Sequence, residues 1–433
     1  MASGLSLISK DIGDDFPSLT YLSNNTPPVY FDNACTSLVP LQVIEEINRC
    51  YSLLPTCAGD RSGYSTAEET TRLVEEAREK VRKFINAGPE DGIIFTANTS
   101  HELNIVALGY PLKPGQVVIQ TDREHNSNHL PWIRLKNKGL IRVVQIDTDE
   151  NGNFDLDSFK KHLDTGLVGL VSMGYTSNII GNTIPAKEII SLAHKSGVKV
   201  LLDAAQAAPH RAINVKGLEV DMMAFSLHKM CVPRGVGVLY ISTANMNKNA
   251  FPEPVILGGG TAGDATYASY SLLDSPECFE VGVQNYPAII AAGSAIEYLG
   301  RIGMDKIARH VTCLNTFLTN ELMTRYGGTG WFRILGPLAA EKRGSILTFE
   351  IKRPNAFDIA KVLSEKGNVM VRSGAFCVHS YLNRLYGEGW TRPALADSHR
   401  MTYRVSFYLY NTIEECRIFL ATLDMIFKER GYL

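Results

Sequence analysis

The sequence predicts an α/β protein, with a mostly parallel seven-stranded sheet in a large domain and a smaller C-terminal α/β domain. Three observations carry this reading. Between residues 93 and 240, short β-rich runs alternate with helix-like segments, the pattern of crossover units in a parallel sheet. Several of these runs are apolar on both faces, as strands covered by helices on both sides must be. After about residue 285, a long helical stretch precedes a mixed set of runs that reads as a second α/β unit. The expected division is an N-terminal arm over 1–29, a large domain over 30–290 and a small domain over 291–433.

In chain order, helices are expected over 41–53 and 66–85; the second carries alternating charges and stops near Gly88 and Pro89. The seven β-rich runs fall at 93–96, 117–121, 142–146, 168–172, 199–203, 222–225 and 236–241. The run AIIAAGSAIEYLGRIG opens the later helical stretch. Strands are then expected at 345–351, 369–372 and 402–408, with helices at 356–366 and 412–427. Ligands of such sheets gather at the carboxyl ends of the strands, so those ends are where chemistry is sought.

Composition excludes several classes. With 43 basic and 45 acidic residues, the net charge of −2 lacks the basic excess of a nucleic-acid binder. No apolar run approaches the roughly 20 residues that span a bilayer, so no membrane partner is expected. The opening MASGLSLISKDIGDDF has acids where a secretory core would sit, which points to the cytoplasm. The eight cysteines are scattered without a CxxC pair, resembling neither a disulfide framework nor a metal site.

Two strand-end motifs carry the strongest chemical signal. LLDAAQAAPH places Asp203 at the end of one strand and Gln206 just beyond it; DMMAFSLHKM places Ser226, His228 and Lys229 after another. A pyridoxal-phosphate (PLP) enzyme needs an amine to hold the cofactor as a Schiff base and a carboxylate to keep the pyridine nitrogen protonated. Either residue alone is explained by a helix-capping Asp or a surface Lys. Together, at successive strand ends, they point to the cofactor, with Lys229 as its anchor. FTANTSHELNIVALG sets Thr99 and Ser100 at a helix N-terminus, which suits a phosphate as well as an ordinary cap. Gly258-Gly259-Gly260 is a weaker phosphate candidate, since isolated glycine runs are usually turns. TDREHNSNHLPW puts His125 after a strand, where an imidazole can stack on a flat ring and move protons.

From YFDNACTS (30–37) to YLYNTIEEC (408–416), the chain resembles the cysteine desulfurases of the class V aminotransferase superfamily, most closely their SUF-type (group II) branch. The resemblance implies the aspartate-aminotransferase-like fold type I. It implies that Lys229 holds PLP, Asp203 pairs with the pyridine nitrogen, Gln206 contacts the ring hydroxyl and His125 stacks on the ring. Thr99, Ser100, Ser226 and His228 would bind the phosphate. Asn178, in GYTSNIIGN, would lie near the ring hydroxyl and the substrate carboxylate. VRSGAFCVH matches the family's Arg-x-Gly-x-x-Cys loop through Arg372 and Cys377, and MTYRVSFYLYNT supplies the carboxylate-binding Arg404. The implied reaction converts L-cysteine to L-alanine, with His125 moving protons and a persulfide forming on Cys377. A sulfur-acceptor or scaffold protein would take that sulfur for iron–sulfur cluster or thio-cofactor assembly. A homodimer is also implied.

The chain departs from the family pattern in three places. It reads Gly-Ala-Phe-Cys where the family often has Gly-His-His-Cys, and His379 is a candidate substitute for the missing histidine. Val283 stands where a Thr or Ser usually reaches the partner's phosphate. The stretch 380–402 is longer than usual. Two other readings suit the same residues: a PLP lyase acting on selenocysteine, a cysteine conjugate or kynurenine, and a non-catalytic partner in sulfur assembly.

Overall fold

The computed structural model describes residues 8–21, 27–59, 62–243, 252–353, 356–388, 390 and 400–433. After the short strand β1 (Val29–Tyr30), helices Leu41–Leu53 and Ser65–Phe84 precede the main sheet. Its strands are β2 (Gly92–Thr96), β3 (Val117–Thr121), β4 (Arg142–Ile146), β5 (Val168–Gly174), β6 (Lys199–Asp203), β7 (Met222–Ser226) and β8 (Gly237–Ile241).

They lie in the order β2-β8-β7-β6-β5-β3-β4. The pairs from β7 across to β4 are parallel, while β8 runs antiparallel to both its neighbours. The reason for the exception is local. Residues 227–236 are too few to carry a helical crossover, so the chain turns back beside β7. All five residues of β2, β3, β7 and β8 are buried, whereas the edge strand β4 is partly exposed. This accounts for the runs apolar on both faces.

A hairpin of β9 (Ala262–Ala265) and β10 (Tyr270–Leu272) follows. Helices Tyr286–Ile302 and Met304–Tyr326 lead into a second, antiparallel sheet. It contains β11 (Phe332–Leu335), β12 (Ile346–Lys352), β14 (Arg372–Ser373) and β15 (Arg400–Ser406), in the order β11-β12-β15-β14. The closing helix Ile413–Glu429 starts on a capping box, in which Thr412 and Glu415 satisfy each other's backbone N–H.

The expected strand over 369–372 is two strands in two sheets. β13 (Val369–Met370) pairs in parallel with β1, and after Val371 the chain joins β15 through Arg372 and Ser373. Periodicity cannot separate these, because each half is only two residues long. Helix Tyr286–Ile302 crosses the expected division at 290. Its Ile289, Ala292 and Leu299 are buried in the core under the main sheet, against Ala77 and Val81 of helix Ser65–Phe84. Val29 and Phe31 are buried instead with Phe349, Tyr403 and Phe419 in the core of the second sheet.

Candidate active site

The strand order reverses direction between β3 and β5, and the crevice at such a point is where α/β sheets bind ligands. A cavity of about 780 Å³ opens there. It is lined by Thr99 and Ser100 after β2, His125 after β3, Asn178 after β5, Asp203 and Gln206 at the end of β6, and Ser226, His228 and Lys229 at the end of β7. The second sheet and its loops contribute Arg372, Cys377, His379 and Arg404 to the same walls. Every residue that the resemblance assigns to the site therefore lines one cavity. Gly258–Gly260 and the exposed Val283 are not among the lining residues of this chain.

Lys229 ends the 3-10 turn Leu227–Lys229. Burial lowers its pKa from 10.5 to about 8, against the opposing pull of Asp203. Asp203 is raised by the same burial, with the Ala205 N–H (3.0 Å) and Lys229 acting the other way. Because a neutral amine is the reactive form, ligand-free protein should capture pyridoxal phosphate about tenfold faster per pH unit up to about 8, then level off. Stopped-flow absorbance reads this directly; a rate still climbing towards pH 10 would contradict the lowered pKa.

Hydroxyls gather at the β2 and β7 ends. Ser226 Oγ accepts from Thr99 N–H (2.8 Å) and lies 2.7 Å from Thr99 Oγ1. Ser100 Oγ meets Ser127 Oγ at 2.5 Å. His125 Nδ1 accepts from the Ser127 N–H at 3.1 Å, so the neutral ring carries its proton on Nε2. Burial, then the charges of Lys229 and Arg404, depress the His125 pKa to about 3, which keeps the imidazole neutral.

The residues fit the cofactor they imply. Gln206 Oε1, His228 Nδ1 and Arg404 Nε are buried yet lack any hydrogen-bond partner among the described residues, and all three side chains line the cavity. Buried polar atoms left unpaired cost about 1–3 kcal/mol each, so a polar ligand is the natural source of their partners. PLP would be held by Lys229, Asp203 and Gln206, with Thr99, Ser100, Ser226 and His228 around its phosphate. Among the described residues, no cluster of three or more His, Cys, Asp or Glu could hold a metal ion.

Cys377 is exposed on the cavity rim. It and Phe376 both adopt left-handed backbone conformations, with φ of 57° and 50°. Such a conformation costs a non-glycine residue roughly 1–2 kcal/mol, so the surroundings must impose it. They do so from two sides. The Asn126 N–H donates to Cys377 O, and Asn178 Nδ2 donates to Phe376 O, both at 2.7 Å. The Phe376 ring lies under the Arg404 guanidinium, 4.9 Å from its centre. Arg384, on the helix His379–Tyr386 that follows, bonds Asp122 (2.8 Å) and Asp147 (2.6 Å) of the large domain.

His379 Nδ1 is engaged by Asn126 Nδ2 at 2.9 Å. If His379 assists the thiol, His379→Ala should slow alkylation of Cys377 by iodoacetamide several-fold; an unchanged rate would dismiss that role. In the long stretch after Cys377, the Tyr386 and Trp390 rings are in contact at 4.7 Å; residues 389 and 391–399 lie outside the described residues.

Among the lining residues, Ser127 and Cys35 lacked a signal of their own in the sequence, as did Asp32, which lies behind the cavity wall beside the arginines. Asp32 bonds Arg372 at 2.8 Å and Arg404 at 3.4 Å. Asp32 and Cys35 lie within the YFDNACTS match, where an acid and a thiol could have been weighed.

The class-V aminotransferase family model matches residues 29–419. A probable cysteine desulfurase of Pyrococcus abyssi is 35% identical over 426 residues, covering 97% of this chain and 98% of that protein. One of Streptomyces coelicolor is 35% identical, with 97% of each chain covered. Among solved structures, the apo cysteine desulfurase of Thermococcus onnurineus superposes with a TM-score of 0.86 at 33% identity, covering 98% of both chains. A cysteine desulfurase of Escherichia coli in an S-sulfonic acid form gives 0.82 at 27% identity, covering 96% of this chain and 98% of that one.

Proposed function

The chain belongs to the class V aminotransferase family, and from that premise we propose that it is a PLP-dependent cysteine desulfurase. It converts L-cysteine to L-alanine and takes the sulfur onto Cys377. The observation that carries this reading is one cavity holding both a buried lysine–aspartate pair and an exposed cysteine on its rim. A plain lyase would need the first and not the second.

PLP, when bound, supplies an electron sink for charge developing at the substrate Cα. Asp203 would keep the ring nitrogen protonated, and the hydroxyls of Thr99, Ser100 and Ser226 with His228 would hold the phosphate. Asn178 and Gln206 would serve the ring hydroxyl, and His125 would stack on the ring. Arg404 receives the substrate carboxylate as a guanidinium fork. Lys229, with its lowered pKa, removes the Cα proton. The Cys377 thiolate attacks the substrate Sγ: an S–S bond forms as the Cβ–Sγ bond breaks. The substrate carbon keeps that electron pair and, once protonated, leaves as L-alanine. His125, with its proton on Nε2, exchanges a proton at the substrate sulfur.

The outer sulfur of the persulfide then passes to an acceptor protein for iron–sulfur cluster or other thio-cofactor assembly, and Cys377 leaves as the thiolate. Exposed Tyr267, Tyr270 and Val283 support a homodimer, since apolar side chains of this size favour burial against a partner. No helix among the described residues is long and apolar enough to cross a membrane, which is compatible with a cytoplasmic enzyme. The experiment that tests the reading is incubation with L-cysteine and mass analysis of the peptide containing Cys377. One added sulfur there, with alanine released, is the expected result; alanine without the adduct would indicate a lyase.

A further inference from the structure

The two arginines expected to bind the substrate carboxylate are not equivalent. Arg372 and Arg404 stand directly opposite each other in the β14–β15 register, which puts both side chains on one face of the sheet. Two like charges in that position repel, and Arg404 is buried, so an anion is required between them. Asp32 is that anion. It lies beside β15 through a parallel bridge to Ser406, and the segment around it is pinned by Ser406 N–H to Phe31 O (2.8 Å) and Ala34 N–H to Ser406 Oγ (2.9 Å).

Asp32 grips Arg372 with both oxygens, through Nη2 at 2.8 Å and Nε at 3.4 Å. It meets Arg404 only through Nη2, at 3.4 Å. Arg404 Nη1 is taken by the Asn178 carbonyl at 3.0 Å, and its buried Nε has no hydrogen-bond partner among the described residues. Arg372 is therefore already neutralised, while Arg404 keeps an unsatisfied donor in the cavity wall.

We propose that Asp32 is the positioning residue of the substrate-carboxylate site: it neutralises Arg372 and orients Arg404, leaving Arg404 as the group that binds the carboxylate. The net charge of the trio is then a single positive one, matched to one carboxylate. This deepens the desulfurase reading, and it requires only that the substrate be an amino acid.

The test uses Asp32→Asn holoenzyme, with cofactor retention checked by its visible absorption. Binding of L-alanine and of isopropylamine, in which a methyl group replaces the carboxylate, is titrated through the change in that absorption. L-alanine should bind at least about tenfold more weakly, and isopropylamine as in the wild type. Asp32→Glu, which keeps the charge, should recover part of the loss. L-alanine binding that is unchanged or tighter would overturn the proposal, since Asp32 would then only compete with the substrate. Equal weakening of both amines would overturn it too, as would loss of the cofactor in both variants, by showing a general structural role. If the wild type binds L-alanine but forms none from L-cysteine, the desulfurase reading fails while the Asp32 result stands.

Discussion

Replacing Lys229 by alanine should lower alanine formation from L-cysteine by about 10⁴-fold or more, the upper range of what one positioned acid–base group contributes. The size follows from the site. Lys229 lies at the carboxyl end of β7, where the charge of Asp203 acts on it, and in the proposed mechanism it serves as covalent anchor and as base. Losing it removes both functions at once. The substitution leaves the phosphate and ring-nitrogen partners in place, so the variant should still bind PLP without a covalent bond. Borohydride reduction followed by intact-mass measurement separates the two forms. Wild type should gain the cofactor's mass irreversibly, and Lys229→Ala should not. Fixation at another lysine, or retained turnover, would remove Lys229 from the anchor role.

The second large effect is expected at Cys377. Cys377→Ser should abolish the sulfur adduct and slow alanine release from L-cysteine by roughly 10²-fold or more, because the hydroxyl cannot replace a thiolate as sulfur acceptor. The side chain is exposed and the replacement isosteric, so stability should change by no more than about 0.5 kcal/mol. Chemical denaturation checks that limit, and alanine quantified over time reads the rate. Undiminished alanine release would instead assign the chain to the lyases, in which the leaving sulfur needs no protein acceptor.

The strained backbone at Phe376 and Cys377 bears on how that sulfur is reached. Loop strain of this kind persists only where contacts outweigh it, and here the contacts come from Asn126 and Asn178, both at carboxyl ends of large-domain strands. The thiol is thus held at the rim by the same crevice that holds the cofactor residues. The ring of Phe376 against Arg404 places the arginine proposed to bind the carboxylate in contact with the residue preceding the proposed sulfur acceptor. In this chain, Phe376 fills a position where the family often has histidine, and it supplies packing in place of a second imidazole.

Much of this was readable from residue order alone. Asp203 and the Ser226–Lys229 run follow apolar strands directly, so knowing the strands was enough to place the residues at carboxyl ends. The parallel sheet itself was legible because buried strands between helices have little alternative to being apolar on both faces. What only the tertiary structure decided lies in contacts between distant segments. Asp32 meets Arg372 and Arg404 because β1 leads the chain beside β15, and β14 pairs with β15 in one particular register. A one-residue slip in that register would turn Arg372 to the opposite face, and no local pattern in a two-residue strand records which register is taken. Ser127 reaches Ser100 across two helix starts for the same kind of reason. The chemistry of single residues was written along the chain; the pairing of their charges, and so the division of labour between two arginines, came from how the sheets closed.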